Sequence, residues 1–422
     1  MPSPNLIPLA DRGPLRVLFA INNLQVGGAE MLTYELLRRL DREHFAPELA
    51  CMREAGLLGE KLATEIPVHT HLLAHKLDLR ILWKLTGLLR RGKFDAIVTV
   101  GAGDRMFYGR IAARLAGTPV VVSALHSTGW PDIIHRPNRW LTPWTDAFVG
   151  CAAPHARYLT DVEQFPPAKV HWIPNGVDTQ KFCPRNVPAE LRASLQLPPD
   201  APLVGIVAQL RPEKNHELFL HVARAVVQQV PETHFLLIGS GPKLAELQSL
   251  AAKLGIASQV RFLGARNDVP QLLPLLDIFV LCSKIEANPV SILEAQACGV
   301  PVVATRVGSI PETVLHEQTG LLATPESGKE LTQGIVRLLM EPALRASYGA
   351  AARANVVANW SLERMVCGYE ELLSRLYGEK CGGGAEVRGK RVGVRGEEKV
   401  SSTPRGAPGE LESRGECAPL TP

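Results

Sequence analysis

Aromatic residues make up only 5% of the 422-residue chain, and its eight cysteines include no Cys-x-x-Cys pair. That spacing argues against a zinc knuckle or a dithiol redox motif and suits a reducing compartment. No apolar run approaches the roughly 18 residues of a membrane-spanning helix. The opening MPSPNLIPLADRGPLRVLFAINN lacks a basic stretch followed by an apolar run and a small-residue cleavage site, so residence in the cytosol is expected. No Asp-x-Asp occurs anywhere, which removes a common way of holding a metal against a diphosphate. Net charge is a mild +4, and composition gives no reason to expect a nucleic-acid partner.

What is present is a repeated rhythm. From Leu203, short apolar runs alternate with amphipathic segments: LVGIVAQL, HFLLIG, VRFLG, DIFVLCS and PVVATRV are separated by stretches such as HELFLHVARAVVQQV and PVSILEAQACG. Strands apolar on both faces and spaced by helices predict a doubly wound parallel sheet. RVLFAI, APELACM, VHTHLL, DAIVTV, PVVVSAL and DAFVGCA repeat the pattern in the first half. The expected fold is therefore α/β, with two Rossmann-like domains facing each other across a cleft. Residues 14–180 form the first domain and 181–359 the second, and WIPNGVDTQKFCPRNVP links them. A helix at 360–378 is expected to pack back across the domains. The Gly-rich, mixed-charge segment 379–422 reads as disordered.

EANPVSILEAQACG, starting at Glu286, carries the most chemistry. Asn288 followed by Pro289 predicts a helix start with Asn288 as its cap. Glu286 then lies just before the helix and Glu294 within it. Unpaired backbone N–H groups at such a terminus favour phosphate. The two carboxylates would repel phosphate but accept hydrogen bonds from hydroxyls on either side of it, and a nucleotide sugar has hydroxyls on both flanks of its diphosphate. RPEKN, after the first strand of the same half, adds Arg211 and Lys214 as oxyanion partners. The bland alternatives are a capping acid with an unrelated solvated acid, and a solvated turn.

RPEKN, the Ser283 to Glu286 to Glu294 spacing, CGVPVVATRVG and the linker's PNGVD together resemble the GT-B-fold retaining glycosyltransferases of family 4. The match is densest from Trp172 to Glu326. The first half matches more weakly, through VGGAE and VVSALHSTG. The resemblance implies that Arg211 and Lys214 hold the donor diphosphate, Glu294 binds ribose hydroxyls and Glu286 contacts the transferred sugar. It makes Gly27 and Gly28 the loop that admits close backbone approach, and His126 the histidine beside the sugar. Backbone around Ala265 and Arg266 would read the base, while Asn288 and Pro289 would border the phosphate. Ala287 and Ser309 depart from the family pattern, each standing where glycine is usual.

The activity so implied is that of a retaining, metal-independent hexosyltransferase with no cofactor beyond its nucleotide-sugar co-substrate. Its donor would be UDP- or GDP-linked. The acceptor would be a glycan or lipid-linked glycan, in cell-surface polysaccharide synthesis. A sugar-nucleotide epimerase on the same architecture and a non-catalytic nucleotide-sugar-binding subunit are the rival readings. KLDLRILWKLTGLLRRGK, from Lys76, has the composition of an interfacial helix on the inner membrane surface, or of a domain helix with a basic rim. His69 and His71 would share one strand face, with no third metal ligand evident nearby.

Overall fold

The computed structural model describes residues 7, 8, 11–25, 27–75, 78–101, 103–126 and 135–381. Val26 of VGGAE, Lys76 and Leu77, the STG of VVSALHSTG and the tail from 382 onward lie outside the described residues. Among the described residues, thirteen strands fall into two all-parallel sheets. The first contains β1 (Leu15–Ile21), β2 (Phe45–Cys51), β3 (Val68–His69), β4 (Ala96–Val100), β5 (Val120–Ala124), β6 (Ala147–Gly150) and β7 (Val170–Trp172), in the order β3-β2-β1-β4-β5-β6-β7. The second contains β8 (Leu203–Val207), β9 (His234–Ile238), β10 (Val260–Gly264), β11 (Ile278–Leu281), β12 (Val302–Thr305) and β13 (Gly320–Ala323), in the order β10-β9-β8-β11-β12-β13.

The apolar strands follow from helices on both faces. Val17, Phe19 and Ile21 of β1 join one core cluster, with Val98 of β4 and Val122 of β5. Leu18 and Ala20 join a different cluster, with Ile97 and Val121. Successive side chains of a strand point to opposite faces, so each face buries its own half of the residues. In each sheet the strand order reverses beside the first strand, between β1 and β4 and between β8 and β11. A crevice opens at the carboxyl edge of such a reversal.

Two chain crossings join the sheets. The Val177 N–H donates to Trp360 O at 2.9 Å, and the Leu362 N–H donates to Val177 O at 3.1 Å. A Cβ on Gly176 would meet the Ser361 carbonyl and Leu362 backbone, so this approach requires glycine. Beyond it, helix Leu362–Lys380 buries Met365, Tyr369, Leu373 and Tyr377 in the core of the first sheet. The preceding helix, Pro342–Asn359, contributes Tyr348 and Val356 to the core of the second.

Three local expectations need correction. VHTHLL contributes only Val68 and His69 as strand, and His71 lies outside it with φ of 56°. His69 Nε2 donates to the Glu48 carboxylate at 2.8 Å rather than sharing a strand face with His71. Strands β7 and β13 were not anticipated: VHW abuts the linker and GLLA is shorter than a typical apolar run.

Candidate active site

The carboxyl edges of the two sheets bring the expected residues to one seam. On the second domain, Arg211 and Lys214 follow β8, Ala265 and Arg266 follow β10, and Ser283 to Pro289 follow β11. On the first, Gly27 and Gly28 follow β1, His126 follows β5 and Asn175 follows β7. A Cβ placed on Gly28 would lie 3.9 Å from Val290 Cγ2, which puts the glycine loop opposite the start of helix Val290–Ala297. Across the same seam, Asn175 Nδ2 donates to the Asn288 carbonyl at 3.1 Å.

Glu286 is held from two sides. Its carboxylate is nearly buried, and Oε1 accepts from Lys214 Nζ at 2.5 Å and from Ser283 Oγ at 2.6 Å. The loops carrying these residues are also tied through backbone, because the Lys284 N–H donates to the Glu213 carbonyl at 2.8 Å. Thr305 Oγ1 donates to the Ser283 carbonyl at 2.7 Å, securing the loop from β12. Gly308 has φ of 54°, and a Cβ there would overlap the Glu286 carbonyl oxygen. The backbone of Glu286 can occupy its place only against glycine.

The expected cap is corrected. The helix begins at Val290 with Pro289 in the capping position, and no side chain closes its terminus. Asn288 sits one residue too early to reach the first free N–H groups, and both polar atoms of its side chain are buried without a partner. The terminus therefore keeps its backbone donors. Glu294 lies in the second turn of this helix and borders a cavity of about 30 Å³ that is also lined by Leu32, Glu35, Lys181 and Phe182. Burial pushes its carboxyl up to about 7, with Lys181 opposing the rise.

Arg211 is half exposed, with Glu213 4.0 Å away. Arg266 is held by Asp268 through two bonds of 2.7 and 2.6 Å, and Ala265 beside it is exposed. His126 has a buried Nδ1 with no partner, and burial, with help from nearby His155, lowers its pKa to about 4. It is thus a neutral imidazole. His155 Nδ1 lies 3.1 Å from Cys151 Sγ. Burial raises that thiol to about 12, and the charge of Glu286 adds to the rise. Through these neighbours His126 faces the seam from the first domain, opposite the second-domain loop that carries Glu286.

Several participants were not singled out from sequence. Asn175 stands inside PNGVD, and Ser283 three residues before Glu286, so motif position could have flagged both. Glu312 lies 3.7 Å from Arg157 of the first domain and accepts from the Ala153 backbone. No local pattern marks that contact.

The geometry is that of two facing crevices, cations and a free helix terminus on one wall, and carboxylates to either side. Comparison with known proteins decides the family. Residues 188–355 match the family described as glycosyl transferases group 1, and residues 26–181 match glycosyltransferase family 4. The GDP-mannose-dependent alpha-(1-6)-phosphatidylinositol monomannoside mannosyltransferase of Mycobacterium tuberculosis is 30% identical over 62% of this chain and 71% of its own length.

The chain belongs to this glycosyltransferase family.

A further relative of the glycosyltransferase, the UDP-Gal:alpha-D-GlcNAc-diphosphoundecaprenol alpha-1,3-galactosyltransferase of Escherichia coli, is 28% identical over 74% of this chain and 85% of its own. The crystal structure of Anabaena Alr3699/HepE in complex with UDP-glucose superimposes with a TM-score of 0.75 at 23% identity, covering 86% of this chain and all of that one. At that identity the likeness concerns the fold, and it is the GT-B arrangement of two Rossmann-like domains.

Proposed function

We propose that this glycosyltransferase moves a hexose, with retention and without a metal, from a UDP- or GDP-linked donor to a hydroxyl of a glycan or lipid-linked glycan. The observation that carries the reading is the convergence of Lys214, Ser283 and Glu286 beside the uncapped terminus at Val290, with Glu294 one turn further on. Lys214, Arg211 and the helix N–H groups are the donors for a diphosphate. Glu286 Oε1 is occupied by Lys214 and Ser283, so the carboxylate is oriented for a sugar hydroxyl. Glu294 accepts from ribose hydroxyls, and Gly27, Gly28, Ala265 and Arg266 offer backbone to the donor. The relatives act on the same classes of compound: a UDP-linked galactose and a diphosphoundecaprenol-linked sugar in one, GDP-mannose and a phosphatidylinositol mannoside in another.

In this mechanism the bond from the anomeric carbon to the diphosphate oxygen breaks while the acceptor oxygen bonds on the same face. The acceptor's proton passes to the departing phosphate. Negative charge grows on the leaving group, where Lys214, Arg211 and the oriented N–H groups meet it. Neutral His126 supplies a hydrogen-bonding edge beside the sugar and no charge.

A lipid-linked acceptor would be met at the inner membrane surface. Helix Arg80–Gly92 buries Ile81, Leu85 and Leu89 in the first domain, so most of its apolar face is core. Leu79 and Trp83 remain 65% and 80% exposed, near Arg80 and Lys84. No helix among the described residues is long and apolar enough to cross a membrane. Thermal-shift screening with UDP-glucose, UDP-galactose, UDP-N-acetylglucosamine and GDP-mannose, followed by turnover with lipid-linked acceptors, tests the proposal. Stabilisation by at least one compound is expected; no stabilisation and no turnover with any would reject it.

A further inference from the structure

Two buried polar side chains flank Glu286 without a hydrogen-bond partner. Both Oδ1 and Nδ2 of Asn288 are orphaned, as is Oγ of Ser309. Asn288 is 6% exposed and Ser309 fully buried. The Asn288 carbonyl, unlike its side chain, has a partner, since it receives Asn175 across the seam. Gly308 holds Ser309 next to the Glu286 backbone. A buried amide left unpaired is destabilising, and an apolar side chain of similar size would avoid the penalty. The helix terminus does not use the amide either. Its unfilled requirement is a donor and an acceptor together.

We propose that the Asn288 amide is a specificity-determining group that reads one substituent of the transferred sugar, a hydroxyl or acetamido group that both donates and accepts a hydrogen bond. This rests on the nucleotide-sugar reading above. Position supports it: Asn288 lies two residues beyond Glu286 and directly before the terminus assigned to the diphosphate, so the sugar between those two contacts is the part of the donor within its reach. A site built to pair with a substituent discriminates strongly against a donor lacking it, because the buried amide is then left unpaired.

The test uses the full chain and the best donor from the screen. Its derivatives deoxygenated at each ring position in turn are included, or its des-acetamido form if an N-acetylated sugar is preferred. Asn288→Leu is expected to keep or raise the thermal midpoint and to lower kcat/KM for the parent donor by about 10–100-fold. It should change kcat/KM by less than about threefold for the one derivative that lacks the substituent read by the amide. If Asn288→Leu does not fold, Asn288→Asp, nearly the same size and unable to donate, carries the same comparison. An equal loss with every donor, or no loss with any, would overturn the inference by making Asn288 structural. A wild-type chain that turns over no nucleotide sugar sinks the broader reading instead. Wild-type turnover that Lys214→Ala abolishes, with donor ranking unmoved in Asn288→Leu, sinks only the role of Asn288.

Discussion

Lys214 Nζ lies 2.5 Å from Glu286 Oε1, joining loops that are 72 positions apart in the chain. The ammonium assigned to phosphate and the carboxylate assigned to the sugar therefore hold each other in place before a donor arrives. A diphosphate drawn to Lys214 competes with Glu286 for the same cation. Under the proposed mechanism Lys214→Ala would remove a cation from the point where charge develops, and a turnover loss of roughly 10²–10³-fold is expected. The same change strands a nearly buried carboxylate, costing about 1–3 kcal/mol of stability in denaturant titration. Near-normal turnover in a folded Lys214→Ala protein would remove Lys214 from the mechanism.

The raised carboxyl of Glu294 gives donor binding a pH signature. In the proposed donor site, an ionised Glu294 would accept from ribose hydroxyls, and a protonated one would do so poorly. Donor affinity should fall as pH drops below about 7, where burial has moved this group from its usual 4.5. The effect on unliganded stability has the opposite sign. The folded state holds the proton more tightly than the unfolded chain, so stability attributable to Glu294 is fully present below pH 4.5 and lost as pH rises towards 7. Glu294→Gln should flatten both trends, as read by calorimetric titration with UDP or GDP and by thermal midpoints across this range. A wild-type affinity that does not vary over the window argues against Glu294 as the ribose acceptor.

Gly308 shows how a backbone position far from Glu286 in sequence controls it. Alanine there combines a left-handed φ with overlap on the Glu286 carbonyl oxygen, a cost of about 2–5 kcal/mol. Gly255 is the control: its φ is 70°, but nothing lies within 4 Å of an added Cβ, so Gly255→Ala should cost only about 1–2 kcal/mol. Activity should follow the difference, with Gly308→Ala losing turnover and Gly255→Ala keeping it. Equal destabilisation in urea would show that the contact with Glu286 carries no weight.

Much of this architecture was readable from hydrophobic rhythm, because strands covered on both faces must be apolar at every position, as Val17 to Ile21 are. The exceptions have local causes. β13 is GLLA, four residues after a turn, and β7 is the half-exposed VHW, so neither carries the continuous apolar signal of β1. The positions of Glu286, Glu294 and Lys214 at the carboxyl edge of the second sheet were legible because each stands at a fixed offset from a strand end. The cap at Asn288 was misread because Asn-Pro favours a helix start in isolation, whereas here the Asn288 carbonyl is drawn across the seam to Asn175. Contacts between domains, such as that of Glu312 with Ala153, depend on how two bodies meet and have no sequence period.

Trp83 carries the membrane question. An indole 80% exposed on a helix whose neighbouring residues are Arg80 and Lys84 has the composition of an interfacial anchor. Trp83→Ala is expected to reduce sedimentation with phosphatidylglycerol-containing vesicles by at least about threefold, with turnover of a soluble acceptor unchanged. Equal sedimentation of the two proteins would assign Trp83 to another surface role.

Glu312 reaches from the second domain to the first, where its carboxylate accepts from the Ala153 backbone at the start of helix Ala153–Asp161 and lies 3.7 Å from Arg157. A carboxylate at a helix N-terminus is worth about 0.3–1 kcal/mol, and the Arg157 pair is too exposed to add much. Glu312→Gln keeps the shape and removes the charge, so the domains should part more readily. Amide exchange over residues 153–156 should quicken by about two- to fivefold, and donor KM should rise with little change in kcat. If exchange over those residues is unaltered while KM shifts, Glu312 acts within its own domain and the seam is held closed by other contacts.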